Sequence, residues 1–202
     1  MLKLCGKLCD NNLTTEELLP WMMISKTSVR DIYNVLEIMR KGFGLSSIDE
    51  AYFQLSSINV NLEESVKIFD RRNGDIYGIL LFAETPLHNG SPLIKMSKNI
   101  SLLLSEYSQV NGFAFIIDER LRGAHVDKPM LLYNEDYLNK FDFIWCAVEK
   151  SLKSHSYWKR IGFYEIMEID DAKFYLKLLN KTLLMDIYYK VHNIISNEKD
   201  NN

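Results

Sequence analysis

Apolar residues recur at helical spacing near the start of the chain. A capping box, Ser28-Val-Arg-Asp31, begins this stretch, because its hydroxyl and carboxylate can accept hydrogen bonds from free backbone amides at a helix start. A second box at Ser47 predicts another helix through about Ile58. The pattern therefore predicts two helices, the first of which buries a face formed by Ile32, Val35, Leu36, Met39 and Phe43.

Strand-length apolar runs occupy the middle and the end of the chain. Residues 65–70 and 75–83 are joined by Asn73-Gly74, a pair that favours a tight turn, and this predicts a β-hairpin. Continuous apolar runs predict two central strands covered on both faces. These strands are residues 113–117 and 143–148, and a second antiparallel pair is predicted at 163–169 and 173–179.

The remaining helices alternate with these strands. Asp127 can cap a helix that has Pro129 in its first turn and runs to about Lys140. A short helix is predicted at 155–160, and a final helix presents one apolar face. The order of elements implies an α/β fold with helices on both faces of a sheet. The apolar face of the final helix is formed by Leu184, Ile187, Tyr188, Val191 and Ile195.

A chain of 202 residues with 47% hydrophobic residues is sufficient for one well-packed domain. We expect an N-terminal extension at 1–19, the main domain at 20–180, and a C-terminal helix with a polar tail at 181–202. The apolar face of the final helix is predicted to cover the domain's own sheet. The alternative is that this face mediates the formation of a homodimer.

Charge and cysteine content narrow the functional classes. The net charge of −3 gives no overall field that would attract a polyanion, so nucleic acid and anionic membranes are not expected partners. The three cysteines form no cluster with the ligands of a metal site, and we predict no metal. No apolar run is long enough to span a membrane, and the chain is expected in the cytoplasm.

One motif carries most of the functional information. The stretch Ser156-Tyr-Trp-Lys-Arg-Ile-Gly-Phe-Tyr-Glu165 follows a predicted strand and resembles the final motif of GNAT acyltransferases. The hairpin and the stretch from Phe113 to Gly123 match the same superfamily, over roughly residues 22–179. The resemblance implies a GNAT-like acyl-CoA N-acyltransferase fold, with a mixed, mostly antiparallel twisted sheet.

The resemblance also implies a binding cleft for acetyl-CoA. In the superfamily the fourth and fifth strands splay apart, and their backbone groups pair with pantetheine; the matching residues are Phe115, Ile116, Ile117 and Ala147. A backbone amide near Ile117 would stabilise the thioester oxygen as it becomes negative.

The phosphate-binding loop of the superfamily corresponds to residues 122–128. Its pattern of an Arg or Gln followed by two small residues fits in two registers, one counted from Arg120 and the other from Arg122. We prefer the second, in which the small positions hold His125 and Asp127. The alternative is that Asp127 only caps its own helix and the loop binds no phosphate. The predicted cofactor-binding residues here are Arg122, Gly123, Ala124, His125, Val126, Asp127 and Lys128.

The final motif supplies the remaining site residues. Ser151 and Trp158 correspond to family cofactor-binding positions, and Trp158 replaces the tyrosine that often protonates the departing thiolate. Tyr157 is the candidate for that general acid. Glu119 and Glu149 are the preferred candidates for the general base. Weaker candidates are Glu84, Asp118 and His155.

The resemblance predicts an N-acetyltransferase in which a primary amine attacks the thioester of acetyl-CoA directly. The amine belongs to a small molecule or a peptide. The competing hypothesis is a GNAT-fold binding or regulatory module that has lost catalysis, because Trp158, His125 and Asp127 depart from the family pattern.

Overall fold

The structure, a computed structural model, describes residues 19–84, 98–151, 154–169, 171–179 and 183–200. Almost all of the predicted extension at 1–19, with Cys5 and Cys9, lies outside the described residues, as do the last two residues of the tail. The third cysteine, Cys146, is buried and unpaired.

Seven described strands form one sheet in the order β1-β2-β3-β4-β5-β7-β6. Strands β4 and β5 are parallel and every other neighbouring pair is antiparallel. The predicted mixed, mostly antiparallel sheet is confirmed. The strands are β1 Met22–Lys26, β2 Val60–Asp70, β3 Ile76–Ala83, β4 Gln109–Ile117, β5 Phe143–Glu149, β6 Tyr164–Ile169 and β7 Ala172–Leu178.

Seven α-helices connect or flank these strands in the described residues. The predicted capping box is present, since the Ser28 N–H donates to the Asp31 carboxylate at 2.8 Å ahead of the first helix. The helices are α1 Ile32–Gly42, α2 Ile48–Ser57, α3 Lys98–Ser105, α4 Asp127–Tyr133, α5 Glu135–Leu138, α6 His155–Arg160 and α7 Leu184–Asp200.

The core has three clusters, divided between the two faces of the sheet. Helices α4, α5 and α6 cover one face, where Phe82, Ile144 and Met130 are buried. On the other face, α1 and α2 pack over β3 and β4, and α3 and α7 pack over β5 to β7. Ile187 and Val191 of α7 are buried against the sheet, so this helix covers the domain's own core. Helices therefore lie on both faces, as predicted.

The helix predicted from Asp127 to Lys140 is interrupted at Asn134 and forms two short helices. Asn134 is buried, and its amide donates to the Glu64 carbonyl at 2.6 Å while its side-chain oxygen accepts from Lys26. These bonds fix a local turn. The predicted cap was also wrong: Val126 occupies the cap position, and Asp127 is the first helical residue, with a buried side chain.

The described residues contain neither a helix that could span a membrane nor a cluster of metal ligands. No described helix combines the length and apolar character needed to cross a bilayer. No group of three or more His, Cys, Asp or Glu side chains in these ranges is arranged to hold a metal ion.

Candidate active site

A V-shaped gap separates β4 from β5. The two strands pair only at Gln109–Asn111 with Phe143–Trp145, although both continue beyond these residues. A register shift marks a β-bulge at Phe113, two residues after the last parallel pair. A bulge bends its strand and increases the local twist, so β4 turns away while β5 stays paired with β7 as far as Glu149. The splayed strands that the resemblance implied are present.

Within the described residues, the backbone groups on the edge of β4 that faces the gap have no hydrogen-bond partner beyond the three pairs with β5. The Asp118 N–H donates to the Tyr77 carbonyl at 2.7 Å, toward β3. Backbone groups of successive strand residues point to opposite sides, so those of Phe115 and Ile117 point into the gap. This edge can pair with an extended ligand.

The loop between β4 and α4 is shaped to expose backbone amides. Gly123 and His125 have left-handed conformations, with φ of +87° and +56°. Within the described residues, the N–H groups of Gly123, His125 and Val126 have no recorded acceptor. Such turns, followed by a helix start, form concave anion-binding sites.

The same backbone angles distinguish the two registers of the loop. When the family pattern is counted from Arg120, its two small positions are the two left-handed residues, Gly123 and His125. In the other register the second small position is Asp127, which is helical. The geometry therefore favours the register counted from Arg120, rather than the one that the apolar pattern favoured.

Charges of both signs surround this loop. Arg122, His125 and Lys128 are exposed. The Arg120 side chain is directed toward β3 and not toward the loop amides, because it pairs with Asp118 at 2.8 Å and its guanidinium lies 4.8 Å from the Tyr77 ring centre. The Asp118–Arg120 pair is partly shielded from solvent and keeps the pKa of Asp118 below its usual value despite the opposing effect of burial.

Aromatic rings from α6 reach across the gap to β4. The Tyr157 ring stacks on Phe115 with centroids 5.6 Å apart, and the Trp158 ring meets Phe115 edge-on at 6.3 Å. Trp158 also packs edge-on against Phe163 at 5.0 Å. These four side chains link α6 with the free part of β4.

The Tyr157 hydroxyl is buried and has no hydrogen-bond partner of standard geometry among the described residues. Burial raises the pKa of Tyr157, the negative charge of the nearby Asp127 raises it further, and Arg160 opposes this. The phenol is therefore protonated near neutral pH. A buried polar atom without a partner is uncommon in native structures and often marks a functional position.

The Ile161-Gly-Phe163 segment fixes the end of α6. Gly162 has φ of +90°, a conformation that side chains strongly disfavour, and Phe163 is buried in the core beneath the aromatic cluster. Lys177 of β7 donates to the Ile161 carbonyl at 2.9 Å. Burial lowers the pKa of Lys177, and the charge of Asp127 opposes this.

The start of α6 is fixed by His155. Its Nε2 lies 3.3 Å from the Lys150 carbonyl, which can only accept, so Nε2 carries the proton. Its Nδ1 lies 2.9 Å from the Tyr175 hydroxyl, which also lies 3.4 Å from a Glu165 carboxylate oxygen. Sequence patterns did not identify Tyr175 or Lys177, because both lie in an apolar strand run and only the folded sheet brings them under α6.

The remaining predicted residues lie at the open end of the gap. Glu149, at the end of β5, and Glu119, in the turn after β4, are both exposed. Ser151 donates to Glu149 at a long 3.4 Å. No contact of either glutamate with Tyr157 is recorded in the described ranges, and their roles as bases remain predictions.

A small apolar pocket lies at the closed end of the gap. It encloses about 290 Å³ of empty space, part of which is open to solvent. Its enclosed part has room for little more than one water-sized group. Its walls are formed by Leu80, Phe82, Gly112, Phe115, Leu131, Ile144, Trp158, Ile161 and Phe163.

Comparison with solved structures confirms the fold. No protein-family model and no curated protein matches the sequence. The GNAT family N-acetyltransferase YhbS from Escherichia coli, solved in complex with CoA, aligns with a TM-score of 0.55 and 17% identity over 83% of this chain and 84% of its own.

Two archaeal structures give the same result. Ard1 from Thermoplasma volcanium aligns with a TM-score of 0.55 and 14% identity, over 79% of this chain and 99% of its own. The PaiA N-acetyltransferase from Thermoplasma acidophilum, solved in complex with coenzyme A, aligns with a TM-score of 0.51 and 13% identity. The alignment covers 78% of this chain and 98% of the PaiA chain. The chain has the GNAT fold, and the resemblance found in the sequence is confirmed at that level.

The anchoring of α6 predicts a dependence of stability on pH. Hydrogen bonds from Lys159 and Lys173 lower the pKa of Glu165 from 4.5 to about 2. Because the folded-state value is the lower one, Glu165 stabilises the fold above its unfolded pKa, and this contribution is lost as the pH falls through about 2. We expect Glu165→Gln to remove about 1 kcal/mol of stability at neutral pH.

Urea unfolding measured between about pH 6 and pH 2 tests this expectation. The wild type should lose more stability than Glu165→Gln as the solution is acidified. Glu63→Gln, at an exposed position on β2, serves as the control and should follow the wild type. Parallel curves for the wild type and Glu165→Gln would contradict the assignment.

Proposed function

We propose that the protein is an acyltransferase that uses acetyl-CoA and transfers its acetyl group to a primary amine. The observation that supports this most directly is the gap between two parallel strands, with a free backbone edge on β4 and an amide-rich loop at its open end. Solved neighbours with the same fold include N-acetyltransferases with CoA in their structures.

The residues around the gap are suited to coenzyme A. Backbone groups of Phe115 and Ile117 can pair with the amides of pantetheine. The N–H groups of Gly123, His125 and Val126, which have no acceptor among the described residues, can hold the pyrophosphate together with Arg122 and Lys128. The span from Gly112 to Ile117 is five residue steps, or about 17 Å at about 3.3 Å per residue, and it can pair with an extended arm along that length.

The reaction forms a bond between the amine nitrogen and the thioester carbon and breaks the carbon–sulfur bond. The amine must lose a proton, and Glu149 or Glu119 is the proposed acceptor. The departing thiolate needs a donor. Tyr157 carries a buried O–H that lies close to Asp127 and makes no hydrogen bond of standard geometry within the described residues, and we assign it this role. Its raised pKa favours hydrogen-bond donation over complete proton transfer while Asp127 stays nearby.

Two observations favour a different function, a GNAT-fold module without catalysis. Asp127 brings a carboxylate to the start of α4, where a phosphate would repel it. The stack of Tyr157 on Phe115 also fills part of the gap. If coenzyme A binds in the gap, we expect the Tyr157 ring to turn away from β4.

Binding of acetyl-CoA to the purified protein separates the two functions. A ligand present at 100 times its dissociation constant adds about 2.7 kcal/mol of stability, which gives a measurable rise in melting temperature. Calorimetry provides the dissociation constant. Neither a thermal shift nor a heat of binding would contradict the proposed enzyme and support the module.

The Asp127 side chain supplies a sharper form of this test. Asp127→Asn keeps the shape of the side chain and removes its charge, so we expect coenzyme A to bind about three- to tenfold more tightly, on the order of 1 kcal/mol. This increase in affinity for coenzyme A should be smaller at high salt, because salt screens the charge of Asp127. Asp136→Asn, in an exposed part of α5, is the control and should leave the affinity unchanged.

The proposed role of Tyr157 predicts a selective kinetic defect. Tyr157→Phe retains the stacked ring and removes the hydroxyl, so we expect kcat for acetyl transfer to fall at least about tenfold while the affinity for acetyl-CoA changes little. Tyr164→Phe, at an exposed tyrosine of β6, is the matched control. Unchanged kcat in Tyr157→Phe would exclude the hydroxyl as the donor.

A further inference from the structure

The apolar pocket lies where the splayed strands converge. Its wall contains Gly112, the first residue of β4 beyond the parallel pairs, and Ile144, which is itself one of the paired residues of β5. The amide-rich loop lies at the opposite, open end of the gap. If the proposed function is correct, a coenzyme anchored by its phosphates at that loop has its thioester end at this pocket.

The lining of the pocket limits the chemistry of the acyl group. Every wall residue is apolar, and Phe82 and Ile144 are almost completely buried. Lys177 contacts the Phe163 ring and the Ile161 carbonyl but does not line the pocket. An acyl chain ending in a carboxylate would bury an unpaired charge there, which strongly disfavours its binding.

Trp158 limits the length of the acyl group. Its ring packs edge-on against Phe163 at 5.0 Å and closes one side of the pocket, yet Trp158 itself is only partly buried. Phe115, Leu131 and Ile161 are also partly buried, and the remaining wall residues belong to the core. Removing this indole would therefore extend the pocket toward the surface without opening the sheet.

We propose that Trp158 is a specificity-determining residue that restricts the acyl group to a short uncharged chain such as acetyl. Gly112 leaves room for that short chain on the β4 wall, because a Cβ at this position would lie 3.4 Å from an Ile144 methyl group and would narrow the pocket. This inference rests on the proposed use of coenzyme A thioesters.

Calorimetric titrations with acetyl-CoA, hexanoyl-CoA and succinyl-CoA test the inference without an acceptor amine. The wild type should bind acetyl-CoA at least about tenfold more tightly than either of the others, a difference of about 1.4 kcal/mol. In Trp158→Ala the preference for acetyl over hexanoyl should disappear or reverse, while succinyl-CoA should remain weak. Trp158→Phe should retain the wild-type preference.

Two further variants keep the experiment decisive. Leu132→Ala truncates an exposed side chain of α4 that does not line the pocket, so it should leave the acetyl-to-hexanoyl ratio unchanged. Leu131→Ala enlarges the pocket from α4 and should shift the ratio as Trp158→Ala does, which covers the case in which Trp158→Ala fails to fold.

The outcomes distinguish this inference from the function on which it rests. Wild-type protein that binds none of the three thioesters would overturn both. Wild-type protein that binds acetyl-CoA, with the same acetyl-to-hexanoyl ratio in Trp158→Ala and Leu131→Ala, would overturn only the role of Trp158. Tight binding of succinyl-CoA would contradict the apolar character assigned to the acyl site.

Discussion

The candidate site depends on the early end of pairing between β4 and β5. A bulge at Phe113 turns β4 away from its parallel neighbour, while β5 remains fixed to β7 along its whole length. Backbone groups in a sheet normally need a partner, and those of Phe115 and Ile117 have lost theirs on the β5 side. The gap therefore offers hydrogen bonds to an extended ligand, and the loop after β4 adds free amides at its open end.

Helix α6 adds the side-chain chemistry to this backbone frame. Bonds to the sheet hold both of its ends, through His155 with Tyr175 and through Lys177 with the Ile161 carbonyl. The helix is therefore positioned by β7, and it presents Tyr157 and Trp158 to the free part of β4. The two neighbours have different environments: Tyr157 places a buried hydroxyl near Asp127, and Trp158 closes the apolar pocket.

Much of the fold was predictable because it follows local patterns. The hairpin, the central strands and the glycine after α6 each have a sequence signal that the structure confirms. The break at Asn134 was not predictable, since its partners Lys26 and Glu64 are distant in sequence. The contacts of Tyr175 and Lys177 with α6 were not predictable either, because only the folded sheet brings these residues under that helix. Asp127 has the residue type of a helix cap, but its burial near Tyr157 depends on how α6 packs.

The central claim is that the splayed edge of β4 and the loop after it form a binding cleft for coenzyme A. The most direct measurement is a titration of isotope-labelled protein with coenzyme A, followed by amide chemical shifts in NMR spectra. We predict that the largest changes occur at the amides of Phe115, Ile117, Gly123, His125 and Val126. Unchanged amides at these positions, or changes confined to another surface, would contradict the claim.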